Sequence, residues 1–146
     1  MAENMTISNT RLKNFFNTRP RNIIISTANK NREPNVAILN STRLEDNDLI
    51  EFEIGKSITL QNIKENPKIV FMIAREGNTL MEFKGVRIYS KVIDIQTAGE
   101  KLDNAKEILR IRVGKEAADS IIATVICKIE KIRPLVDRGQ VWDKSI

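Results

Sequence analysis

The clearest pattern in the sequence is the alternation of apolar and acidic residues between positions 50 and 54. Successive side chains of a β-strand point to opposite faces, so Ile50, Phe52 and Ile54 would share one face, and Glu51 and Glu53 the other. The pattern predicts a half-buried strand whose two carboxylates lie on a solvated face. We assign these carboxylates no acid–base role, because exposed strand faces normally carry such charged residues.

Five further apolar runs predict strands, with turn-forming residues between them. The runs lie at positions 22–27, 34–41, 68–74, 80–95 and 121–132. The fourth run changes phase, since Met81 and Phe83 share one parity while Val86 and Ile88 share the other, with Gly85 between them. A phase change at a glycine is typical of a β-bulge or a bend, so we expect one at Gly85.

Three segments have helical patterns. The first covers positions 9–17, and the second begins after Ser57 as N-cap and must end before Pro67. Thr97 and Glu100 form a capping box ahead of the longest helix. About six strands with two or three helices favour a mainly β fold, an antiparallel barrel with peripheral helices, over a doubly wound sheet.

The length and the apolar segments limit the organisation of the chain. The 146 residues fit a single domain spanning the whole sequence. No segment approaches the roughly 20 apolar residues that a membrane span needs, and the residues after Met1 lack the basic and then apolar pattern of a leader. We therefore expect a cytoplasmic protein with no membrane partner.

The composition excludes several function classes. With no histidine and one cysteine, Cys127, the chain cannot assemble an ordinary zinc site or a Ser-His-Asp or Cys-His pair. The net charge of +5 favours anionic ligands without choosing nucleic acid over nucleotide, but an aromatic content of 5% supplies few stacking platforms for nucleic acid. Arg110, Arg112 and Lys115 could bind an anion, although basic residues at the end of a helix also complement its dipole with no ligand.

The segment from Gly55 to Thr59 carries the best candidate for chemistry. The strand ends here and a helix begins, so an anion would meet unpaired helical N–H groups, the ammonium of Lys56 and the hydroxyls of Ser57 and Thr59. The alternative is that Ser57 only caps the helix and Lys56 lies in solvent. A nucleoside-triphosphate P-loop is excluded, because its pattern requires glycine where Ile50 stands.

The run KSITLQNIKENPKIVFMI, from Lys56 to Ile73, resembles the strand–helix–strand signature of the pyridoxamine 5′-phosphate oxidase-like flavin-binding split-barrel family. The hairpin IIISTANKNREPNVAIL and the later FKGVRI also resemble that family, so the similarity covers roughly residues 23–95. The resemblance implies a six-stranded antiparallel split β-barrel that binds FMN. It also implies a homodimer with the flavin at the subunit interface.

The resemblance places the phosphate at the turn after the 50–54 strand and the flavin ring against the second strand. The residues implied to contact the cofactor are Val36, Ala37, Ile38, Leu39 and Asn40 on the second strand, Phe52 and Glu53 on the third, Lys56, Ser57, Ile58, Thr59 and Asn62 around the turn, and Trp142 near the C-terminus. Trp142, with Arg138, is expected to reach a flavin held mainly by the partner subunit.

Two departures from the family pattern leave a choice between functions. Ile58 stands where the family often has a basic residue, and Glu53 stands where a hydroxyl residue is common, so a carboxylate would repel a phosphate. The first hypothesis is an FMN-dependent oxidoreductase of unknown substrate. The alternative is a non-enzymatic ligand-binding or regulatory module on the same barrel, and a nucleic-acid binder is a third, weaker option.

Overall fold

A single antiparallel sheet with helices on its periphery makes up the computed structural model, which describes residues 6–146. The domain proposed from the sequence also includes the first five residues, which lie outside this range. The strands are β1 Ile23–Ala28, β2 Pro34–Ile38, β3 Arg43–Leu44, β4 Leu49–Gly55, β5 Lys68–Arg75, β6 Lys84–Gln96 and β7 Ile121–Pro134. The α-helices are α1 Thr10–Asn17, α2 Ile58–Glu65, α3 Glu100–Arg112 and α4 Lys115–Ser120, with 3₁₀ helices at Leu80–Glu82 and Trp142–Ser145.

Within residues 6–146, the sheet has seven strands in the order β2-β1-β5-β6-β7-β4-β3, and it is not closed. The expected count of six was therefore one too low, because the two residues of β3 pair with Glu51 and Ile50 of β4. Such a short strand has no alternation of its own for a sequence pattern to detect. β2 and β3 form the two edges of the sheet in the described part of the chain, so β2 has a strand neighbour there on one side only.

One face of the sheet and the α1 helix enclose a continuous hydrophobic core. The alternation predicted for β4 is confirmed for its apolar side chains, since Ile50 and Phe52 are fully buried. Phe52 meets Phe71 of β5 edge to face, with ring centroids 6.0 Å apart and an interplanar angle of 67°. Each fully buried side chain of this size contributes roughly 1.5–3 kcal/mol by leaving water. Cys127 also lies in this core, and burial raises the pKa of its thiol to about 12.

A β-bulge or a bend was expected at Gly85; the β-bulge is wrong, and the glycine has another role. Gly85 pairs in regular register with Ala74, and β6 shifts register between Tyr89 and Ser90 and again between Val92 and Asp94, in its pairing with β7. A Cβ at Gly85 would lie 2.0 Å from the carbonyl oxygen of Ile73, and its φ is +156°. The position therefore requires glycine because the neighbouring backbone approaches too closely for a side chain. The extended run predicted from position 80 begins only at β6, after the first 3₁₀ helix.

The helix boundaries follow local capping. Asn9 caps α1 by accepting a hydrogen bond from the N–H of Leu12 at 2.8 Å. The capping box predicted at Thr97 does not form, because Gly99, with φ +120°, is the N-cap of α3 and no side chain caps that end. Glycine reaches this backbone conformation without strain, so the chain turns there and the helix starts immediately afterwards. No helix within residues 6–146 is long and apolar enough to cross a membrane.

Asp48 ties the N-terminal segment to the sheet. It is 3% exposed, and its carboxylate accepts hydrogen bonds from the N–H groups of Ile7 and Ser8 at 2.7 and 2.8 Å and from the Ser8 hydroxyl at 2.7 Å. Burial alone would raise the pKa of Asp48, but these hydrogen bonds and the charge of Lys128 outweigh it and lower the pKa. The ionised carboxylate is therefore the form that stabilises the fold.

We expect Asp48→Asn to lower the free energy of unfolding near neutral pH by about 1–3 kcal/mol, because an amide cannot accept all three hydrogen bonds. Since the folded pKa is depressed, the contribution of Asp48 is complete above its unfolded pKa and is lost as the pH falls through its folded pKa. Urea unfolding of both proteins at neutral and acidic pH should show a difference that shrinks in acid. Asp46→Asn, at an exposed neighbour paired with Lys13, is the control and should change little. A gap between Asp48→Asn and the parent that stays constant with pH would contradict this role.

Candidate functional site

β2 presents one unpaired backbone edge. Its pairing with β1 follows the antiparallel register in which Ala37 faces Ile25, and the N–H of Leu39 donates to the carbonyl of Ile23 at 2.9 Å. Hydrogen-bonded pairs alternate along an antiparallel ladder, so Ala37 and Leu39 point their backbone groups at β1. The N–H and C=O groups of Val36 and Ile38 therefore point away from β1, along the open edge of the sheet.

The N-terminus of α2 lies at the end of β4 and keeps helical N–H groups free for an acceptor. The Ser57 hydroxyl accepts from the N–H of Leu60 at 3.1 Å and donates to the carbonyl of Gly55 at 3.2 Å. Ser57 is thus the N-cap that the sequence predicted, and its hydroxyl is already engaged within the chain. The first N–H groups of the helix, those of Ile58 and Thr59, precede the capped position, while Lys56 is exposed beside them.

Two side-chain hydrogen bonds hold α2 against β1 and β2. The amide of Asn35 donates to the Thr59 hydroxyl at 3.4 Å, and the amide of Asn62 donates to the Thr27 hydroxyl at 3.1 Å. Thr59 and Asn62 are each 4% exposed, so both face into the protein. Their side chains fix the helix N-terminus beside the open edge of β2. Sequence reasoning missed Asn35, although an amide side chain inside an apolar strand was a usable signal.

The two carboxylates of β4 are buried, which corrects the prediction of a solvated face. Glu51 is 4% exposed and Glu53 is 7% exposed. The Arg43 guanidinium lies between them, 2.8 Å from Oε1 of Glu53 and 3.2 Å from Oε2 of Glu51. The ammonium of Lys101, on α3, lies 2.6 Å from the other carboxylate oxygen of Glu51. The carboxylates avoid solvent because these two cations compensate them. We call Arg43, Glu51, Glu53 and Lys101 the charge cluster.

Electrostatics within the charge cluster hold Arg43 in its charged form. Burial would lower the pKa of Arg43, but the hydrogen bond and charge of Glu53, with the charges of Glu51 and Glu45, outweigh it and raise the pKa. Glu53 also accepts a hydrogen bond from the Thr124 hydroxyl at 3.3 Å. The like-charge repulsion expected between Glu53 and a bound phosphate is therefore offset within the chain.

A cavity of about 680 Å³ lies between α3 and the region where β2 ends. Asn40 and Glu53, both predicted to contact a ligand, line it together with Arg19, Lys101 and residues of α3. Asn40 also holds the local backbone, since its Oδ1 accepts from the N–H of Ile23 at 2.9 Å. Two of the predicted residues thus lie at one cavity, next to the end of the open β2 edge.

The remaining predicted residues are distributed differently. Phe52 is fully buried in the core, so its side chain cannot touch a ligand, and its backbone pairs with Val125 of β7. Trp142 is half-buried and packs against the core of its own chain, and the Arg138 guanidinium lies 3.0 Å from the sulfur of Met81. A contact of Trp142 or Arg138 with a second subunit stays a prediction. Val36, Ile38 and Ile58 are 66%, 61% and 61% exposed.

Comparison with known proteins identifies the fold. No protein-family model matches the chain, and no curated protein matches its sequence significantly. Among solved structures, an FMN-binding protein from Syntrophomonas wolfei subsp. wolfei is 25% identical, with a TM-score of 0.73 over 86% of this chain and 84% of that chain. A predicted pyridoxamine 5′-phosphate oxidase from Lactobacillus delbrueckii is 16% identical, with a TM-score of 0.63 over 91% and 97%.

This chain is a split barrel of the pyridoxamine 5′-phosphate oxidase-like fold. The resemblance seen between residues 23 and 95 is thereby confirmed for the fold. A further split barrel, the heme storage protein HutZ from Vibrio cholerae, is 12% identical, with a TM-score of 0.63 over 88% of this chain and 94% of that chain. The fold therefore accompanies more than one cofactor and does not by itself identify the ligand of this split barrel.

We expect Arg43→Gln to lower the free energy of unfolding by roughly 2–4 kcal/mol, because it leaves two buried carboxylates with less compensating positive charge. Arg43 itself is partly exposed to solvent, which limits the loss. Chemical denaturation at neutral pH measures the change. Arg110→Gln removes an exposed ion pair with Glu107 and serves as the matched control. Equal stabilities of the Arg43 and Arg110 variants would contradict the structural role of the charge cluster.

Proposed function

We propose that this split barrel binds FMN and works as a flavin-dependent oxidoreductase. The observation that carries the proposal is the position of the α2 N-terminus, which the Asn35–Thr59 hydrogen bond fixes beside the open edge of β2. A helix N-terminus suits a phosphate monoester, and a row of unpaired backbone donors and acceptors suits the pyrimidine edge of a flavin. The two features are adjacent and together match the two ends of one nucleotide cofactor.

The phosphate is proposed to bind at the free N–H groups of Ile58 and Thr59, with the ammonium of Lys56 beside it. The dipole of α2 and the charge of Lys56 both favour an anion at this point. Ser57 acts here through its cap, which fixes the direction of the first helical turn. Lys56 supplies the positive charge that the family often places at the position of Ile58.

The flavin ring is proposed to lie along Val36 and Ile38, whose outward N–H and C=O groups would meet its polar edge. Asn40 and Glu53 would then lie near the far end of the ring, at the cavity beside α3. FMN supplies the hydride or electron chemistry when bound, and the chain supplies orientation and electrostatics. The residues present fit this cofactor, because Arg43 offsets the charge of Glu53 and the ring contacts are backbone groups that tolerate apolar side chains.

A homodimer is part of the proposal. Val36, Ile38 and Ile58 each leave more than half of their side chain exposed, and they belong to the same strand–helix region that would hold the flavin. Exposed apolar side chains concentrated in one region mark interaction surfaces. A second copy of the chain would cover them and close the flavin site from the other side, as the sequence resemblance implies.

Titration of FMN with the purified protein tests the cofactor directly. We expect a perturbed flavin absorption band and quenched flavin fluorescence, and Lys56→Glu should weaken binding by about tenfold or more, because it replaces attraction by repulsion next to the phosphate. Lys64→Glu, at the opposite end of α2, is the matched control and should bind FMN like the parent. An unchanged flavin spectrum at high protein concentration would remove the proposal.

The double variant Val36→Asp/Ile38→Asp should be monomeric in light scattering and should bind FMN more weakly, because two buried charges would oppose the subunit interface. Ile111→Asp, which alters another exposed apolar side chain on α3, is the control and should keep the mass of the parent. A parent protein with the mass of one chain at micromolar concentrations would rule out the dimer while leaving the FMN titration to decide the cofactor.

The alternative of a non-enzymatic binding module is favoured by one observation, the apolar Ile58 at the helix N-terminus. A site with fewer cations would bind a phosphate less tightly. In addition, one of the solved structures with a similar fold is a heme storage protein. Titrations with hemin and FMN separate the two readings. Hemin binding with no FMN binding would favour the module. FMN binding followed by reduction of the bound flavin by NADH or NADPH, with reoxidation by an added acceptor, would favour the oxidoreductase.

A further inference from the structure

The cavity beside α3 has the size and lining of a site for a small organic molecule. Its volume of about 680 Å³ lies within the range of known ligand pockets. Ile108, Leu109 and Val113 form an apolar wall on one side, and Ile108 and Val113 leave 53% and 70% of their side chains exposed. A helix that turns apolar side chains toward a cavity offers a surface for an apolar ligand body.

The cations around the cavity differ in how they are engaged. Arg43 and Lys101 are committed to Glu51 and Glu53 in the charge cluster. Within residues 6–146, the Arg112 side chain forms no ion pair or hydrogen bond, although it lines the cavity. Within the same residues, the Arg19 side chain makes one hydrogen bond, in which its Nη2 donates to the carbonyl of Asn40 at 2.8 Å. Two guanidinium groups therefore bring unused donors to the same cavity.

The other basic residues near the end of α3 show that this arrangement is local. Arg110 pairs with Glu107 at 2.5 Å, and Lys115 pairs with Asp119 at 2.9 Å. The sequence pattern treats Arg110, Arg112 and Lys115 alike, as a basic helix end that complements the dipole. The structure separates them, because Arg110 and Lys115 have carboxylate partners and Arg112 faces the cavity.

We propose that this cavity binds a small organic anion with an apolar body. The carboxylate or phosphate of the ligand would lie between Arg112 and Arg19, and its apolar part would lie against Ile108 and Leu109. A cationic ligand fits less well, since Arg43 already compensates Glu53, the acidic residue at the cavity. Asn40 and Glu53 line both this cavity and the proposed flavin ring site. The anion would therefore be the substrate that meets the flavin, and in this respect the inference rests on the proposed function.

Three probes that share the same apolar body and differ in their polar group test the ligand class. They are 2-naphthoate, 2-naphthyl phosphate and 2-naphthol. Calorimetric titrations of the protein, with and without FMN, should show that at least one of the two anions binds about tenfold or more tightly than the neutral 2-naphthol. The ratio between 2-naphthoate and 2-naphthyl phosphate then distinguishes a carboxylate site from a phosphate site. Equal binding of all three probes, or binding of none, would overturn the proposal.

Charge-reversal variants locate the site. The single variants Arg112→Glu and Arg19→Glu should each lower the affinity for the anion by about tenfold or more, because each reverses the charge at the proposed head-group position. The affinity for 2-naphthol should not change. Arg110→Glu, two residues away on the same helix with a partner in Glu107, should bind the anion like the parent. Thermal unfolding of each variant checks the fold, and Arg112→Gln provides a milder substitution. A loss of anion binding that is equal in the Arg110 and Arg112 variants would overturn the assignment.

The FMN titration separates this inference from the proposed function. Anion binding that depends on Arg112 in a protein that does not bind FMN would support the cavity and contradict the flavin role. FMN binding with no preference among the three probes would support the flavin role and overturn the cavity proposal. Since Arg112 lies on α3 and the proposed phosphate site lies on α2, Arg112→Glu should weaken anion binding much more than it weakens FMN binding.

Discussion

The fixed position of the α2 N-terminus is the constraint on which the candidate site depends. Asn62 bonds Thr27 of β1, and Asn35 of β2 bonds Thr59, so one helix end is tied to two neighbouring strands. Without these bonds, the free N–H groups of the first helical turn would have no defined relation to the open β2 edge. These polar side chains thus fix the distance between the candidate anion site and the strand edge.

Periodicity predicted the strands and the fold class, because the apolar side chains of each strand face the core and alternation records that directly. It did not predict where the carboxylates of Glu51 and Glu53 would lie. Their burial depends on Lys101, fifty positions beyond Glu51, and on Arg43 of a two-residue strand. Alternation reports that a residue is polar, but it carries no information about a partner that the fold brings from elsewhere. Gly85 is a similar case, because the carbonyl group that leaves no room for a side chain at this position belongs to another strand.

The candidate site was predicted in part for the same reason. Local sequence identified the turn from Gly55 to Thr59 and the cap at Ser57, because both are determined within a few residues. It could not show that Thr59 faces inward or that Phe52 belongs wholly to the core. The cavity beside α3 combines residues from the loop after α1, from β4 and from α3, so no local pattern contained it. The amide of Asn35 is the one missed residue that a local signal, its polarity within β2, could have found.

The short length of β2 has a consequence for association between chains. A strand with an unpaired backbone edge can recruit a strand from another molecule, and natural sheets limit this by keeping such edges short or by placing proline on them. β2 has five residues and starts with Pro34. The same backbone groups that are open to a cofactor are thus too few to template an extended intermolecular sheet. A single five-residue segment is thus both the proposed ligand edge and an edge too short to extend into an intermolecular sheet.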